Sequence, residues 1–125
     1  MRWVIHSRAA FEARHALTSY HGEAEEVHSH LWEVAVQIGV ESLNDEGFAL
    51  DFHRVHAMLA DVAAPLEGID LGDHPDIGLP SPTAERLALF LASELEPRFE
   101  TLGGRLISVS VWEGAENRVD LVLED

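Results

Sequence analysis

The stretch HSHLWEVAVQIGV, residues 28–40, is the part of the sequence from which the fold can be worked out. Its even positions carry two histidines followed by apolar residues: His28, His30, Trp32, Val34, Val36, Ile38 and Val40. This alternation is typical of a β-strand with one buried face, because successive side chains of a strand point to opposite faces. His28 and His30 should therefore lie side by side at the rim of a hydrophobic core, where they could be two ligands of a metal ion.

A second strand is predicted upstream, in residues 1–15. The residues of its expected buried face share one parity: Trp3, Ile5, Ser7, Ala9, Phe11, Ala13 and His15. A third histidine thus ends a strand on the buried side. Residues 16–27 are polar and contain several glutamates, so they predict a loop that joins the two strands and overhangs the site.

The middle of the chain predicts two helices. Apolar residues repeat at helical spacing from Phe52 to Leu66, and Asp51 is placed to cap this helix. Residues 67–80 should be an irregular connection. Ser81 and Pro82 are expected to open the second helix as its N-cap and first residue.

The second helix should present an apolar face to the core and end near a proline. That face consists of Leu87, Phe90, Leu91 and Leu95, and Pro97 and Gly103-Gly104 should bound the helix end. Residues 105–113 alternate as a third strand, and Val119, Leu121 and Leu123 mark a fourth. The order β-β-α-α-β-β predicts an α+β fold, a four-stranded antiparallel sheet with two helices on one face.

Composition narrows the function classes. The chain has 125 residues, 46% of them hydrophobic, which predicts a single domain over residues 1–125. Its net charge of −15 argues against nucleic acid as a partner, and an anionic substrate would need a local arginine cluster. The absence of cysteine excludes disulfides, thiolate ligands and a cysteine nucleophile. No signal-like N-terminus and no long apolar run are present, so we expect a cytoplasmic protein without a membrane partner.

The three strand-end histidines suggest a metal centre. If the first two strands pair as a hairpin, His15 lies opposite His28 and His30. Three imidazoles without a fourth protein ligand are typical of a catalytic zinc site with one open position. Three solvated histidines at the rim are an equal alternative from spacing alone. We expect His53 and His56 at the surface of the first helix.

Five segments, in order along the chain, resemble motifs of the 6-pyruvoyl-tetrahydropterin and 6-carboxytetrahydropterin synthase family. Residues 11–15 (FEARH) resemble F-x-A-x-H, residues 28–30 (HSH) resemble H-G-H, and residues 47–52 (GFALDF) resemble G-x-V-x-D-F. Residues 81–85 (SPTAE) resemble N-P-T-x-E, and residues 111–113 (VWE) resemble the strand that ends in the pterin-anchoring glutamate.

The resemblance implies the tunnelling fold (T-fold), in which the sheets of several subunits join into a barrel, often a hexamer of two trimers. It also implies a pterin site at the subunit interface, with zinc (Zn²⁺) held by His15, His28 and His30. Glu113 would accept paired hydrogen bonds from the amino-pyrimidinone edge of a pterin. Thr83 would contact the pterin near a helix N-terminus, or would simply cap that helix.

Two departures from the family pattern bear on the reaction. Ala24 stands where the family has its proton-abstracting cysteine. The family's Asp-His pair after the first helix falls, in register, on Glu67 and Gly68, and the nearest alternative is His74 further along. These departures argue against the conventional synthase reaction.

A glutamate could replace the missing cysteine. Residues 25–30 (EEVHSH) resemble the E-x-x-H-G-H arrangement of a subgroup that is associated with cleaving the side chain of dihydroneopterin triphosphate to 6-hydroxymethyl-dihydropterin. Glu25 would then be the general base, with His74 as a possible proton carrier. A solvated acidic loop is the plainer interpretation of the same glutamates.

These observations predict a zinc-dependent lyase of the 6-pyruvoyl-tetrahydropterin synthase type, acting on a dihydroneopterin triphosphate-like substrate and forming a homo-oligomer, a trimer or hexamer. Three alternatives stay open at this point. The chain could run the conventional reaction with substitute acid-base groups. It could be a catalytically silent paralogue that binds zinc and a pterin or purine, or it could hold no metal at all.

Overall fold

The strands and helices follow the segments that the sequence pattern separates. The structure, a computed structural model, describes residues 1–124. Its elements are β1 (Trp3–His15), β2 (His28–Val40), α1 (Phe52–Ala63), α2 (Ala84–Glu100), β3 (Arg105–Glu113) and β4 (Asn117–Val122). The predicted order β-β-α-α-β-β is confirmed.

The four strands form one antiparallel sheet in the order β1-β2-β3-β4. β2 and β3 are neighbours although both helices separate them in sequence. In the register of the sheet His15 lies opposite His28, and Trp32 lies opposite Glu113. The ends of β1, β2 and β3 that carry these residues therefore meet at one end of the sheet.

Both helices pack on the same face of the sheet and bury the even-numbered side chains of β2. The core joins Trp32, Val34, Val36 and Ile38 to Val55 and Leu59 of α1 and to Leu87, Leu91, Leu95 and Phe99 of α2. Each large apolar side chain buried in this way stabilises the fold by roughly 1.5–3 kcal/mol. The opposite face of the sheet is polar and carries Arg8, Gln37 and Arg118.

The first helix is shorter than its sequence pattern predicts. The α-helix ends at Ala63, and residues Ala64–Leu66 form a turn of 3₁₀-helix that contains Pro65. A proline at this position cannot donate a backbone hydrogen bond, so the α-helical ladder stops. Phe52 was expected in the core but is 67% exposed, because the first residue of the helix lies off the buried stripe. The Asp51 cap is confirmed, since its carboxylate accepts a hydrogen bond from the backbone N–H of His53 at 2.9 Å.

The predicted start of the second helix is wrong, whereas its end lies between Pro97 and Gly103, the residues predicted to bound it. Thr83 is the N-cap, and its hydroxyl accepts a hydrogen bond from the backbone N–H of Arg86 at 3.1 Å. The Ser81 hydroxyl instead accepts one from the backbone N–H of Thr18 at 3.0 Å, which ties the loop after β1 to this connection. Pro97 lies inside the helix, which continues to Glu100. A proline so close to the C-terminus removes one ladder hydrogen bond without ending the helix.

The connection between the helices covers part of the outer edge of β1. The backbone N–H of Gly68 donates to the carbonyl of Glu12 at 2.7 Å, and the N–H of Arg14 donates to the carbonyl of Ile69 at 2.9 Å. This edge is therefore closed beside His15, whereas β2 is the only strand that pairs with the rest of β1 in the described part of the chain. Across residues 1–124, none of the helices is long and apolar enough to cross a membrane.

Candidate metal and pterin site

Three histidines meet where β1 ends and β2 begins. Each of His15, His28 and His30 offers a ring nitrogen, and these nitrogens all lie within 4.8 Å of one another. His15 is 1% exposed, whereas His28 and His30 are half-buried. The structure thus brings the three predicted ligands together in a group that could hold a metal ion.

Strand pairing explains this convergence. His15 and His28 are direct cross-strand partners, and His30 follows two residues later on the same face of β2. Trp32 supports them from below: it is fully buried, and its ring packs edge-on against His15 and His30 at centroid distances of 5.0 and 6.0 Å. Its indole N–H donates to the carbonyl of Ala13 at 3.3 Å, so the platform under the histidines is itself held in place.

Backbone carbonyls orient two of the imidazoles. Nδ1 of His15 donates to the carbonyl of Pro82 at 2.8 Å, and Nδ1 of His28 donates to the carbonyl of Glu26 at 2.9 Å. Because a carbonyl can only accept, Nδ1 carries a proton in both rings, and in the neutral form of each ring Nε2 keeps its lone pair. Nε2 of His15 is buried and has no hydrogen-bond partner among residues 1–124. A buried lone pair without a partner is costly, so this donor set fits a metal ion.

Burial also keeps His30 suited to metal binding. Removal from water lowers the pKa of His30 below its ordinary value, and the nearby His28 and His15 act in the same direction. The carboxylates of Glu113 and Glu25 oppose this shift without overcoming it. The neutral imidazole, which is the form that binds metal, is therefore favoured near neutral pH.

Glu113 lies between the histidines and a cavity. One carboxylate oxygen, Oε1, is 3.3 Å from Nε2 of His15, and the other, Oε2, is 3.8 Å from Nε2 of His30. A cavity of about 220 Å³ opens beside it, with Leu17, Thr83 and Val111 among its lining residues. Both residues predicted to bind a pterin, Thr83 and Glu113, therefore line one cavity.

Glu25 is attached to the backbone of the loop that follows β1. Its Oε1 accepts a hydrogen bond from the backbone N–H of Leu17 at 3.0 Å, and its own N–H donates to the carbonyl of Leu17 at 3.0 Å. The same oxygen is 3.9 Å from Nδ1 of His28, so Glu25 lies at the edge of the triad. Its side chain is 30% exposed, whereas Glu23 and Glu26 are exposed.

His74 is placed differently from the triad. Its ring packs against Phe90 of α2 at a centroid distance of 4.8 Å, and its Nδ1 accepts a hydrogen bond from the backbone N–H of Asp76 at 3.1 Å. Neither contact involves the three strand-end histidines. Glu67, which stands at the family's aspartate position, accepts a hydrogen bond from the backbone N–H of Glu12 at 2.8 Å.

Sequence reasoning missed the backbone groups of the site. The carbonyls of Pro82 and Glu26 orient His15 and His28, and the N–H of Leu17 holds Glu25. Every residue has a backbone carbonyl and every residue except proline has a backbone N–H, so no pattern of side chains could single these groups out. The sequence pattern marks Pro82 only as a helix signal.

A model of the family described as 6-pyruvoyl tetrahydropterin synthase matches residues 4–123 of this sequence. The chain belongs to the 6-pyruvoyl tetrahydropterin synthase family. Membership confirms the resemblance carried by the five motifs and indicates an enzyme of pterin metabolism. A search among curated proteins found no match.

Solved structures of the 6-pyruvoyl tetrahydropterin synthase family have the same fold. The Caenorhabditis elegans 6-pyruvoyl tetrahydropterin synthase superposes with a TM-score of 0.80 at 15% identity, covering 98% of this chain and 96% of that one. An uncharacterised protein from Wolinella succinogenes gives a TM-score of 0.81 at 18% identity and 99% coverage of both chains. A Plasmodium vivax 6-pyruvoyltetrahydropterin synthase, described as a catalytic-residue mutant with alanine in place of a glutamate, gives 0.73 at 12% identity, covering 100% and 99%. The predicted T-fold is confirmed.

Proposed function

We propose that this protein is a zinc-dependent lyase that acts on a dihydroneopterin triphosphate-like substrate with a glutamate as its base. The observation that carries the proposal is the buried, unpartnered Nε2 of His15, which faces two further histidines beside a cavity lined by Glu113. Family membership supports a pterin as the substrate class, and the three histidine nitrogens support a bound metal ion.

Zinc would be held by His15, His28 and His30. Three neutral imidazoles suit this ion, and the chain has no cysteine that could compete as a ligand. When bound, zinc supplies a Lewis acid that polarises an oxygen of the substrate side chain. The carbonyls of Pro82 and Glu26 keep Nε2 of two of these rings available for it.

Glu113 and Thr83 would bind the pterin ring. A carboxylate can accept two parallel N–H bonds, which the amino-pyrimidinone edge of a pterin offers. The Thr83 hydroxyl already accepts a hydrogen bond from the backbone N–H of Arg86 in α2. Any contact with the ring would therefore use its O–H donor or its second lone pair. The cavity beside both residues would exclude water from one side of the ring.

Glu25 would act as the general base that removes a proton from a hydroxyl of the substrate side chain. It is half-buried next to His28, and the N–H of Leu17 holds the carboxylate in position. Ala24 has no acid-base group, so the neighbouring carboxylate is the better candidate. The Plasmodium vivax structure described as lacking a catalytic glutamate supports a carboxylate in this role. His74 would take part only if residues 67–80 rearrange, because its present contacts are with Phe90 and Asp76.

The test is turnover of a defined substrate. Zinc-loaded protein is incubated with dihydroneopterin triphosphate, and the products are identified by mass spectrometry. The proposal expects 6-hydroxymethyl-dihydropterin from the wild-type protein and none from His28→Ala. A 6-pyruvoyl product would show the conventional reaction instead, and the proposed reaction would then be wrong.

A second candidate function is a binding protein without turnover. It is favoured by the two positions, Ala24 and Gly68, at which the family's cysteine and histidine are absent. Pterin binding by fluorescence titration, together with no product after prolonged incubation of the zinc-loaded protein, would establish this alternative.

We also propose that the protein works as a homo-oligomer, a trimer or hexamer. Within residues 1–124, β4 pairs only with β3, which leaves its outer edge available to another chain. Open edges of this kind are usually covered, and closed rotational symmetry is the common solution. Native mass spectrometry would give the subunit number, and a monomer at micromolar concentration would contradict the proposal.

A further inference from the structure

The position of Glu113 raises a question that a purely pterin-binding role leaves open. Both of its carboxylate oxygens face imidazole nitrogens, at 3.3 Å from His15 Nε2 and 3.8 Å from His30 Nε2. The same carboxylate lines the cavity. It therefore has the histidines as close neighbours on one side and the cavity on the other.

A cation between the carboxylate and the imidazoles fits this arrangement. In the neutral ring of His15 the proton is on Nδ1, where it is donated to the carbonyl of Pro82, so Nε2 presents a lone pair. No hydrogen bond joins this nitrogen to Glu113 although they are only 3.3 Å apart. Two electron-rich atoms repel at this separation unless a positive charge lies between them.

The spacing matches the separation of two ligands on one metal ion. Two atoms bound at about 2.1 Å to a tetrahedral zinc ion are about 3.4 Å apart. The distance of 3.3 Å from Glu113 Oε1 to His15 Nε2 is of this size, and the other oxygen, Oε2, lies 3.8 Å from His30 Nε2. Glu113 lies at the end of β3, opposite Trp32 in the sheet, and this strand end is the one beside the triad.

We infer that Glu113 is a fourth metal ligand of the histidine centre while no pterin is bound. This inference rests on the metal centre of the proposed function. It gives Glu113 two successive partners: the ion in the resting protein, and the ring once a pterin enters the cavity. The open position of the metal would then be created by ligand binding, which would keep the metal shielded from water beforehand.

The test compares cobalt(II) in place of zinc in the full-length wild-type protein and in Glu113→Gln. The visible absorption of cobalt(II) reports its ligand number, and chelator competition gives its affinity, so neither readout depends on activity. We expect a changed spectrum and an affinity lower by roughly 10- to 100-fold or more in Glu113→Gln, which is the loss seen even for outer partners of a metal site.

Two further variants separate coordination from charge. Glu33→Gln removes one negative charge from the opposite face of β2, where Glu33 pairs with Arg8 at 2.7 Å, and should leave spectrum and affinity unchanged. Glu113→Asp keeps the charge but withdraws the oxygens, so it should resemble Glu113→Gln if coordination matters. A Glu113→Gln protein with the wild-type spectrum and affinity would overturn the inference and leave the three-histidine centre standing. Failure of the wild-type protein to bind cobalt or zinc would instead overturn the metal centre itself.

Discussion

The histidine triad and Glu25 lie side by side, yet the fold holds them in different ways. His15, His28 and His30 belong to paired strands and rest on a fully buried tryptophan, and backbone carbonyls orient two of the three rings. Glu25 belongs to a loop and is held mainly through Leu17. The proposed metal-binding half, on the paired strands, is thus determined by the core of the protein, whereas the proposed acid-base half, on the loop, can change without disturbing the sheet. This difference explains how the chain can lack the family's cysteine at position 24 and keep all three histidines.

The largest effect on metal binding should come from the paired strands that carry the histidine triad. His28→Ala removes one of three ligands, so zinc affinity should fall by more than the roughly 10- to 100-fold loss caused by changes in outer partners. Competition with a chromophoric chelator measures this loss. His6→Ala is the matched control, because His6 is an exposed histidine of β1 outside the triad. Equal zinc affinity in the two variants would show that His28 is not a metal ligand.

A change in the loop that carries Glu25 should lower the reaction rate but leave the zinc affinity unchanged. Glu25→Gln should slow product formation by about 100- to 10,000-fold, which is the usual contribution of a general base. Zinc affinity should stay at the wild-type value, because the triad is held by the strands. Glu23→Gln, an exposed glutamate of the same loop, is the control and should retain activity. An undiminished rate in Glu25→Gln would exclude Glu25 as the base.

Zinc binding should raise the free energy of unfolding of the protein by a smaller but measurable amount. A ligand at one hundred times its dissociation constant stabilises the native state by about 2.7 kcal/mol. Zinc should therefore raise the melting temperature of chelator-treated wild-type protein by several degrees, as measured by calorimetry. His28→Ala should show no such rise, and the same rise in both proteins would place the stabilising zinc elsewhere.

The smallest effect should come from Thr83, whose hydroxyl caps α2. Thr83→Ala should lower the free energy of unfolding by about 1 kcal/mol, the typical value of an N-cap. Thr83→Ser keeps the hydroxyl and should unfold at nearly the wild-type denaturant concentration. Chemical denaturation at saturating zinc measures both. Unchanged stability in Thr83→Ala together with weaker pterin binding would show that ligand contact is the main role of the hydroxyl.

Much of the fold could be predicted because its strands follow a simple period. The alternation in residues 28–40 predicted β2 with its observed bounds, and the same parity rule placed His15, Trp32 and Glu113 on the buried face. The errors fall where local signals compete. Ser81 and Thr83 are both good caps, and the tertiary contact of Ser81 with Thr18 leaves Thr83 to begin the helix.

The amino-acid order alone was enough to place three histidines and one glutamate at neighbouring strand ends and to indicate the family, because strand periodicity and short motifs are local properties. The folded chain decided the rest. Which ring nitrogen stays free depends on the carbonyls of Pro82 and Glu26, and the partners of Glu113 and Glu25 depend on how β3 and the loop at Leu17 approach the triad. These contacts mostly join segments that are far apart in the chain, and some use groups that every residue has, so they leave no trace in the local pattern.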